Sequence, residues 1–494
     1  MSQNLVRIWY SFSELSIGEI SRYRIKFDQS INNSLPPIHN LIIKITNKTP
    51  IIYRGAVLSG PYNISASVVS TDYVNKKQIL DSIPNCKPSI SCGESWKLTL
   101  TIPSNSIGDW TIEIISEILF SITRIKYKIS LFAIIPKNVD KTDNYSSLIT
   151  HEFYKTIDIF RLPELSILDS KNDIHLVVLT HGLNGSILDE LYLRETIQER
   201  YSNNNNKIVV YASDVNHSLT EEGIERCSKR LANHLLKYIG WNTSHKPFIS
   251  KISMVGHSLG GLFNLFAAGY LQSVTNGTFF EKIEPIHFIA FASPLLGSTQ
   301  LAWYIKIPMK LGLLGKTGKE LILKKCKTDQ EPLLLSISHP TSPSHIALMK
   351  FRNRTLYSNV INDNLVFLKT SSLYFVDLDE DDINKIGIRE NLKFFLASLN
   401  PPKITEDYLT RSFSGISPII HDKVYTPEDI PPPSLQSNLS IEEKIARNWH
   451  KDMTWRKILV RIEGEAHMTV IVRRKWINAA GTRVIEHLLD NHEL

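Results

Sequence analysis

The chain has 494 residues, of which 42% are hydrophobic and 21% are charged. Its composition is that of a globular protein, which excludes a disordered or fibrous chain, and its length favours two domains over one. The formal net charge of +7 is spread along the chain without an arginine-rich block interleaved with aromatics, so nucleic acid is not an expected partner.

No apolar run approaches the roughly 18 residues that a membrane-spanning helix needs. The four cysteines form no CxxC pair and no metal-ligand spacing, and neither a metal nor an organic cofactor is predicted. The first ten residues lack a basic segment followed by an apolar core, which argues against secretion. We therefore expect an intracellular protein, either cytoplasmic or peripherally associated with a membrane or lipid droplet.

Residues 5–136 show apolar side chains at every second position, for example at Trp96, Leu98 and Leu100. This alternation is typical of strands with one buried face, and turn residues separate the runs. We predict that residues 1–136 form an all-β sandwich domain of roughly seven or eight strands. A structural or membrane-docking role is the default interpretation of this domain.

The polar residues 137–144 interrupt that pattern, and we predict a linker at 137–150. In residues 151–494, continuous apolar runs begin near Ile174, Lys207, Ile252 and Ile286 and are separated by segments of helical length. This pattern predicts an α/β domain of the α/β-hydrolase class, with a doubly wound, mostly parallel sheet. A segment at about 370–450, rich in proline between 401 and 440, reads as an insertion outside the core.

The chemistry centres on Gly-His-Ser-Leu-Gly at residues 256–260. It follows an apolar strand and precedes a helical run, which is the context of a nucleophile elbow, where a strand turns sharply into a helix with the serine at the corner. Side chains at Gly256 or Gly260 would collide with the neighbouring backbone. We predict that Ser258 is a nucleophile, although an ordinary glycine-rich turn is the alternative interpretation.

An earlier strand ends in His-Gly-Leu-Asn-Gly at residues 181–185. This sequence matches the loop that supplies one oxyanion donor in lipases, and the residue after the nucleophile supplies the other. The predicted donors are the backbone N–H groups of Leu183 and Leu259. A tight turn without a role in chemistry is the alternative for the first loop.

The fold class predicts that an acid and then a histidine follow the serine in the chain, each after a later strand. Asp363 lies in a turn after a strand-like segment and is the predicted acid, with Asp377 and Asp379 as rivals in an acidic run. His467 follows the strand-like residues 458–462 and is the predicted base. The other histidine candidates break the expected order: His339, His345, His487 and His492.

Several motifs together resemble the fungal serine esterase family of ROG-type lipases. They stand at residues 181–183, 220–224, 256–261, 291–297 and 315–318, with further likeness at 18–23, 58–62, 110–120, 467, 472–475 and 484–488. The resemblance implies hydrolysis of acyl esters of glycerol, with monoacylglycerol or phospholipid as substrate. It also supports the roles of Ser258, Asp363 and His467.

Two other functions fit the same residues. The leading hypothesis is a lipase acting at a membrane or lipid-droplet surface. The alternatives are an acyl-protein thioesterase that uses the same three residues and a catalytically silent lipid-binding scaffold. An apolar and lysine-rich segment at 301–327 fits a lid or interfacial docking surface. An amphipathic helix packed on the core fits it equally well.

Overall fold

The computed structural model describes residues 3–16, 18–55, 62–71, 84–116, 123–136, 144–163, 165, 174–201, 207–241, 249–298, 315–323, 331–377, 405–433 and 439–494. The chain divides into two compact units. The first comprises Met1–Arg161 and Pro401–Thr410, and the second comprises Leu162–Asn400 and Arg411–Leu494.

The described part of the first unit contains antiparallel sheets of four and five strands, in the orders β1-β8-β3-β6 and β5-β4-β7-β2-β9. The strands are β1 (Gln3–Leu15), β2 (Ile20–Asp28), β3 (Asn40–Asn47), β4 (Ile64–Ser70), β5 (Asn85–Ile90), β6 (Ser95–Thr101), β7 (Ile107–Ser116), β8 (Ile125–Pro136) and β9 (Ile149–Lys155). The short helices are three 3-10 turns, Gln29–Asn32, Ile51–Gly55 and Tyr145–Leu148, and α1 (Thr156–Ile159).

Period-two alternation explains how these strands pack. In β2, Tyr23, Ile25 and Phe27 are buried, while Arg24 and Lys26 between them are exposed. Successive side chains of a strand point to opposite faces, so the apolar set of each strand faces inward. Inward residues of both sheets fill a single hydrophobic core.

The first unit extends beyond the boundary that we expected at residues 137–150. Residues 137–143 lie outside the described part of the chain, and Ile149–Lys155 pairs antiparallel with β2 along its whole length. These residues therefore complete the five-stranded sheet instead of opening the second domain at residue 151. Pairing between strands more than a hundred residues apart leaves no local signal in the sequence.

The second unit is built on a seven-stranded sheet in the order β11-β10-β12-β13-β14-β16-β15. Its strands are β10 (Ile174–Thr180), β11 (Lys207–Ala212), β12 (Ile249–His257), β13 (Glu284–Phe291), β14 (Asn353–Asn359), β15 (Ile419–Tyr425) and β16 (Trp455–Val460). Neighbouring strands are parallel except β15, which runs antiparallel to β16 at the edge. The sheet is thus mixed.

The described helices that follow Arg161 are α2 (Leu191–Tyr201), α3 (Ile224–Tyr238), α4 (Leu259–Val274), α5 (Phe279–Lys282), α6 (Gly315–Leu321), α7 (Leu333–Ser338), α8 (Pro343–Lys350), α9 (Leu368–Ser371), α10 (Glu406–Ser414), α11 (Ile441–His450), α12 (Ala466–Thr469) and α13 (Thr482–Asn491). Three 3-10 turns accompany them, at Ile187–Glu190, Pro427–Asp429 and Ala479–Gly481. None of these helices combines the length and hydrophobicity that crossing a membrane requires.

Helices cover both faces of this sheet. Leu176 of β10 lies in one core with residues of α3 and α4, whereas its neighbour Val177 lies in a second core with residues of α2 and α13. A strand buried on both faces needs apolar residues at every position. This explains the uninterrupted run in β10 that the sequence shows.

The segment predicted as an insertion at about 370–450 contributes to the core in part. Residues 378–404 lie outside the described part, but Ile419–Tyr425 pairs with β16 and Trp449 of α11 is buried in the main core. The sequence hides this because an edge strand carries polar residues on its exposed positions. Of the lysine-rich segment 301–327, only residues 315–323 are described, and they contain α6.

Candidate active site

Ser258 lies at the corner between β12 and α4. Its backbone angles, φ 54° and ψ −126°, place it in a strained region that residues with a side chain rarely occupy. Two hydrogen bonds hold this conformation: the Ser258 N–H donates to the Phe291 carbonyl over 2.8 Å, and the Ser293 hydroxyl donates to the Ser258 carbonyl over 2.7 Å. Ser258 is only partly buried, unlike its neighbours His257 and Leu259.

The flanking glycines allow the sharp turn. A Cβ on Gly256 would lie 2.5 Å from the Gly260 carbonyl carbon, and a Cβ on Gly260 would overlap the Thr180 carbonyl of β10. Any larger residue would push α4 away from the strands. Both glycines are therefore needed for the close packing of helix on sheet that presents Ser258.

The structure brings Ser258, Asp363 and His467 together. They follow β12, β14 and β16, which run parallel, so their carboxyl ends share one edge of the sheet. The distance from Ser258 Oγ to His467 Nε2 is 2.9 Å, and the distance from His467 Nδ1 to Asp363 Oδ2 is 3.0 Å. Because the carboxylate can only accept, Nδ1 carries the proton and Nε2 is free to accept from the serine.

Asp363 is held as a carboxylate by its surroundings. Asn359 donates to Oδ2 over 2.9 Å, and the N–H groups of Leu365 and Val366 donate to Oδ1 over 3.1 and 2.8 Å. Burial alone would raise the pKa of Asp363, but His467 and these donors outweigh burial and lower it. The charge and the orientation of the carboxylate are thus both fixed.

His467 is buried in the first turn of the short helix α12. Burial alone would lower its pKa, but the carboxylates of Asp363 and Glu465 raise it above the ordinary value for histidine. Glu465 also caps α12 by accepting the Met468 N–H over 3.0 Å. The His467 carbonyl accepts a hydrogen bond from His257 Nε2 over 2.8 Å, which fixes the backbone that carries the imidazole.

The two predicted oxyanion donors are the N–H group directly after Ser258 and one in the loop that approaches it. Among the described residues, neither Leu183 N–H nor Leu259 N–H donates a hydrogen bond to the protein. The loop of Leu183 approaches Ser258 closely, because a Cβ on Gly182 would lie only 3.1 Å from Ser258 Oγ. Both predicted oxyanion donors are therefore available to donate a hydrogen bond to a ligand, as that role requires.

A buried ion-pair cluster supports the Leu183 loop. Asp189 Oδ1 lies 2.7 Å from Arg473 Nε and 3.2 Å from an Arg474 guanidinium nitrogen, while Asp189 Oδ2 accepts the Ser186 N–H. Burial would raise the pKa of Asp189, but the two guanidinium groups overcome burial and hold it well below its usual range. This cluster ties the loop of Leu183 to the segment that follows His467.

The rival residues that the structure describes lie elsewhere. Asp377 is an exposed partner of Lys423, at 2.9 Å, and Asp379 falls outside the described residues. His487 and His492 hydrogen bond to Tyr357 and Thr355. His339 pairs with Glu331, and His345 with the Ser338 carbonyl.

Sequence reasoning missed His257, Asn359 and Glu465. Asn359 is a polar residue at the end of a buried strand, which is a usable signal for a functional position. His257 and Glu465 stand beside predicted site residues, but nothing in the local pattern indicates which atoms they contact. Among the described residues, no cluster of three or more His, Cys, Asp or Glu side chains is arranged to hold a metal ion.

Comparison with known proteins identifies the family. Residues 170–373 match the family described as "Putative serine esterase (DUF676)". The chain is 31% identical to the Saccharomyces cerevisiae protein named "Putative lipase ROG1", over 97% of this chain and 82% of that protein. The chain belongs to this serine esterase family. The esterase is also 30% identical to "Putative lipase YDL109C" of the same yeast, over 98% of this chain and 88% of that protein.

These relatives confirm the predicted family and the enzyme class, a carboxylic ester hydrolase. Among solved structures, the esterase is similar to Est1E from Butyrivibrio proteoclasticus, with 15% identity and a TM-score of 0.25 over 43% of this chain and 77% of that chain. A score this low reflects a local likeness only.

Proposed function

We propose that this esterase hydrolyses acyl esters of glycerol lipids, monoacylglycerol or phospholipid, with Ser258 as nucleophile, His467 as base and Asp363 as the acid that orients it. The observation that carries the proposal is the unbroken chain of hydrogen bonds from Ser258 Oγ through His467 to Asp363, at 2.9 and 3.0 Å, ending on a carboxylate with three further donors. The relatives named as lipases support a glycerol lipid as substrate.

In the proposed mechanism, His467 Nε2 takes the proton as Ser258 Oγ attacks the ester carbonyl. The N–H groups of Leu183 and Leu259 stabilise the oxyanion, and losing one such donor typically costs on the order of a hundredfold to a thousandfold in rate. Protonated His467 then donates to the departing alcohol. A water molecule, deprotonated by the same imidazole, releases the fatty acid from the acyl-enzyme.

The first experiment compares fluorophosphonate labelling of wild type and of Ser258→Ala, since the probe reacts only with an activated serine. We expect labelling to vanish in Ser258→Ala and to persist in the matched control Ser336→Ala, an exposed serine of α7. Folded wild-type protein that takes up no label would contradict the proposal and favour a silent scaffold.

A substrate panel then tests the lipid. Monoacylglycerol, phospholipid and an acyl thioester are offered in mixed micelles, and release of fatty acid is compared as kcat/KM. We expect the oxygen esters of glycerol to be preferred. A higher kcat/KM for the thioester would instead indicate an acyl-protein thioesterase. Contact with a membrane or lipid droplet, and an intracellular location, remain part of the proposal.

A further inference from the structure

The outward face of the four-stranded sheet in the first unit is both apolar and cationic. We call it the cationic sheet face and define it by Arg7, Tyr10 and Phe12 of β1, Lys44 of β3, Lys97 of β6 and Lys128 of β8. Arg7, Lys44, Lys97 and Lys128 alternate along their strands with residues of the hydrophobic core or with side chains packed on it, so they point away from the core. Tyr10 and Phe12 stand opposite Ser130 and Lys128 in the β1–β8 register and therefore share this face.

Large apolar side chains stand exposed on this face. Leu5, Tyr10 and Phe12 are 56%, 57% and 58% exposed, although all three lie on one strand. A protein that keeps such residues adjacent in water usually uses them as a contact surface. Cations flank the ring of Tyr10, with the Arg7 guanidinium 4.7 Å and Lys128 Nζ 5.2 Å from its centroid.

The cations of the face have no carboxylate partner among the described residues. No ion pair reaches Arg7, Lys44, Lys97 or Lys128, and the one acid on the same face, Glu14, is paired with Arg124. Moreover, Lys44 stands directly opposite Lys97 in the β3–β6 register. Like charges in directly opposed positions destabilise a sheet, so an anion bound there would relieve their repulsion.

The other sheet of the same unit shows the opposite arrangement. On its outward face, Arg22 of β2 pairs with Glu113 of β7 at 2.6 Å, and Arg24 lies 4.0 Å from Glu152 of β9. These two arginines therefore face carboxylates, unlike the cations of the cationic sheet face.

We propose that the cationic sheet face docks the protein onto a bilayer that contains anionic phospholipids. Lipid phosphates would contact Lys44, Lys97 and Lys128, while Tyr10 and Phe12 would enter the headgroup region. Aromatic rings favour this depth of the membrane, and lysine favours anionic headgroups. The inference assigns the membrane contact of the proposed function to one surface, and that surface lies on strands that do not carry Ser258.

The test uses the 494-residue chain with the Ser258→Ala substitution. Because this variant is expected to lack esterase activity, its binding to vesicles is measured independently of catalysis. Binding is measured by cosedimentation with vesicles of phosphatidylcholine alone or with about 30% phosphatidylserine. We expect binding only to the anionic vesicles, weakening with salt because the Debye length shrinks from about 10 Å at 0.1 M to about 3 Å at 1 M.

Two triple variants separate the face from net charge. Lys44→Gln/Lys97→Gln/Lys128→Gln is expected to bind about a hundredfold more weakly, at roughly fivefold per lysine. The matched control replaces exposed lysines of the second unit, Lys237, Lys251 and Lys350, with glutamine and should bind like the parent. Arginine in place of the three lysines of the face should preserve binding, which shows that charge is the feature recognised.

The aromatic contribution is tested separately. Tyr10→Ser/Phe12→Ser is expected to lose on the order of tenfold or more in binding at unchanged net charge. The proposal would be overturned if the Ser258→Ala parent bound vesicles with and without phosphatidylserine equally well. Equal losses in the two lysine triples would overturn it as well, because net charge and not this face would then govern binding. Thermal unfolding of each variant verifies that it is folded.

Discussion

Replacing Asp363 with asparagine tests the proposed mechanism most sharply, because the hydrogen bonds dictate how the new amide must sit. The N–H groups of Leu365 and Val366 both point at Oδ1, so the amide oxygen has to occupy that position. The amide NH2 then takes the place of Oδ2, where it faces His467 Nδ1. Since an NH2 group can only donate, Nδ1 must become an acceptor.

The imidazole would then carry its proton on Nε2 and could no longer accept one from Ser258. Asn359, which donates to Oδ2 in the wild type, would then face another donor. Its buried Oδ1 has no partner, so a flip of the Asn359 amide would turn that oxygen toward the new NH2 and restore a hydrogen bond. We therefore expect Asp363→Asn to fold with little loss of stability while kcat falls about 10,000-fold, equivalent to about 5.5 kcal/mol.

The assay is hydrolysis of a soluble short-chain ester, with thermal unfolding measured in parallel. Asp452→Asn is the matched control: Asp452 is exposed and has a φ of 60° that asparagine tolerates, and its activity should equal that of wild type. If Asp363→Asn keeps kcat within about tenfold of wild type, the assignment of the acid is refuted.

Two further predictions concern titration. Asp363 and Glu465 raise the pKa of His467. We therefore expect kcat/KM to fall as the pH decreases, with a midpoint above the ordinary histidine pKa of about 6.5. Glu465→Gln should lower the pH of that midpoint, and an unchanged pH profile would count against the role of Glu465. In β16, burial lowers the pKa of Lys457 to about 7, with Asp377 and Asp429 opposing it. The unfolded chain, with a lysine pKa of about 10.4, then binds more protons between these values, so wild-type stability should rise with pH across this range, by about 4–5 kcal/mol in total. Lys457→Met should lack this slope in urea unfolding at pH 7, 8 and 9, and parallel slopes in the two proteins would disprove the expectation.

The local sequence determined the turn that presents Ser258, the proposed nucleophile. Gly256 and Gly260 are required by contacts within about five residues of Ser258 and by the strand next to it, so the motif carries its own structural reason. The uninterrupted apolar runs of the second unit likewise predicted strands buried on both faces. Family membership and the enzyme class, both expected from the motifs, are confirmed by the relatives.

Tertiary structure decided what depends on distant contacts. The sequence offers Asp363 and Asp377 as acids, and only the packing of β14 beside β16 shows that Asp363 lies 3.0 Å from His467 while Asp377 pairs with Lys423. Three other contacts are of the same kind: the hydrogen bond from His257 to the His467 carbonyl, the pairing of β9 with β2 in the five-stranded sheet, and the pairing of the edge strand β15 with β16. Each joins parts of the chain that are separated in sequence, and no local periodicity records which partner a strand or side chain will meet.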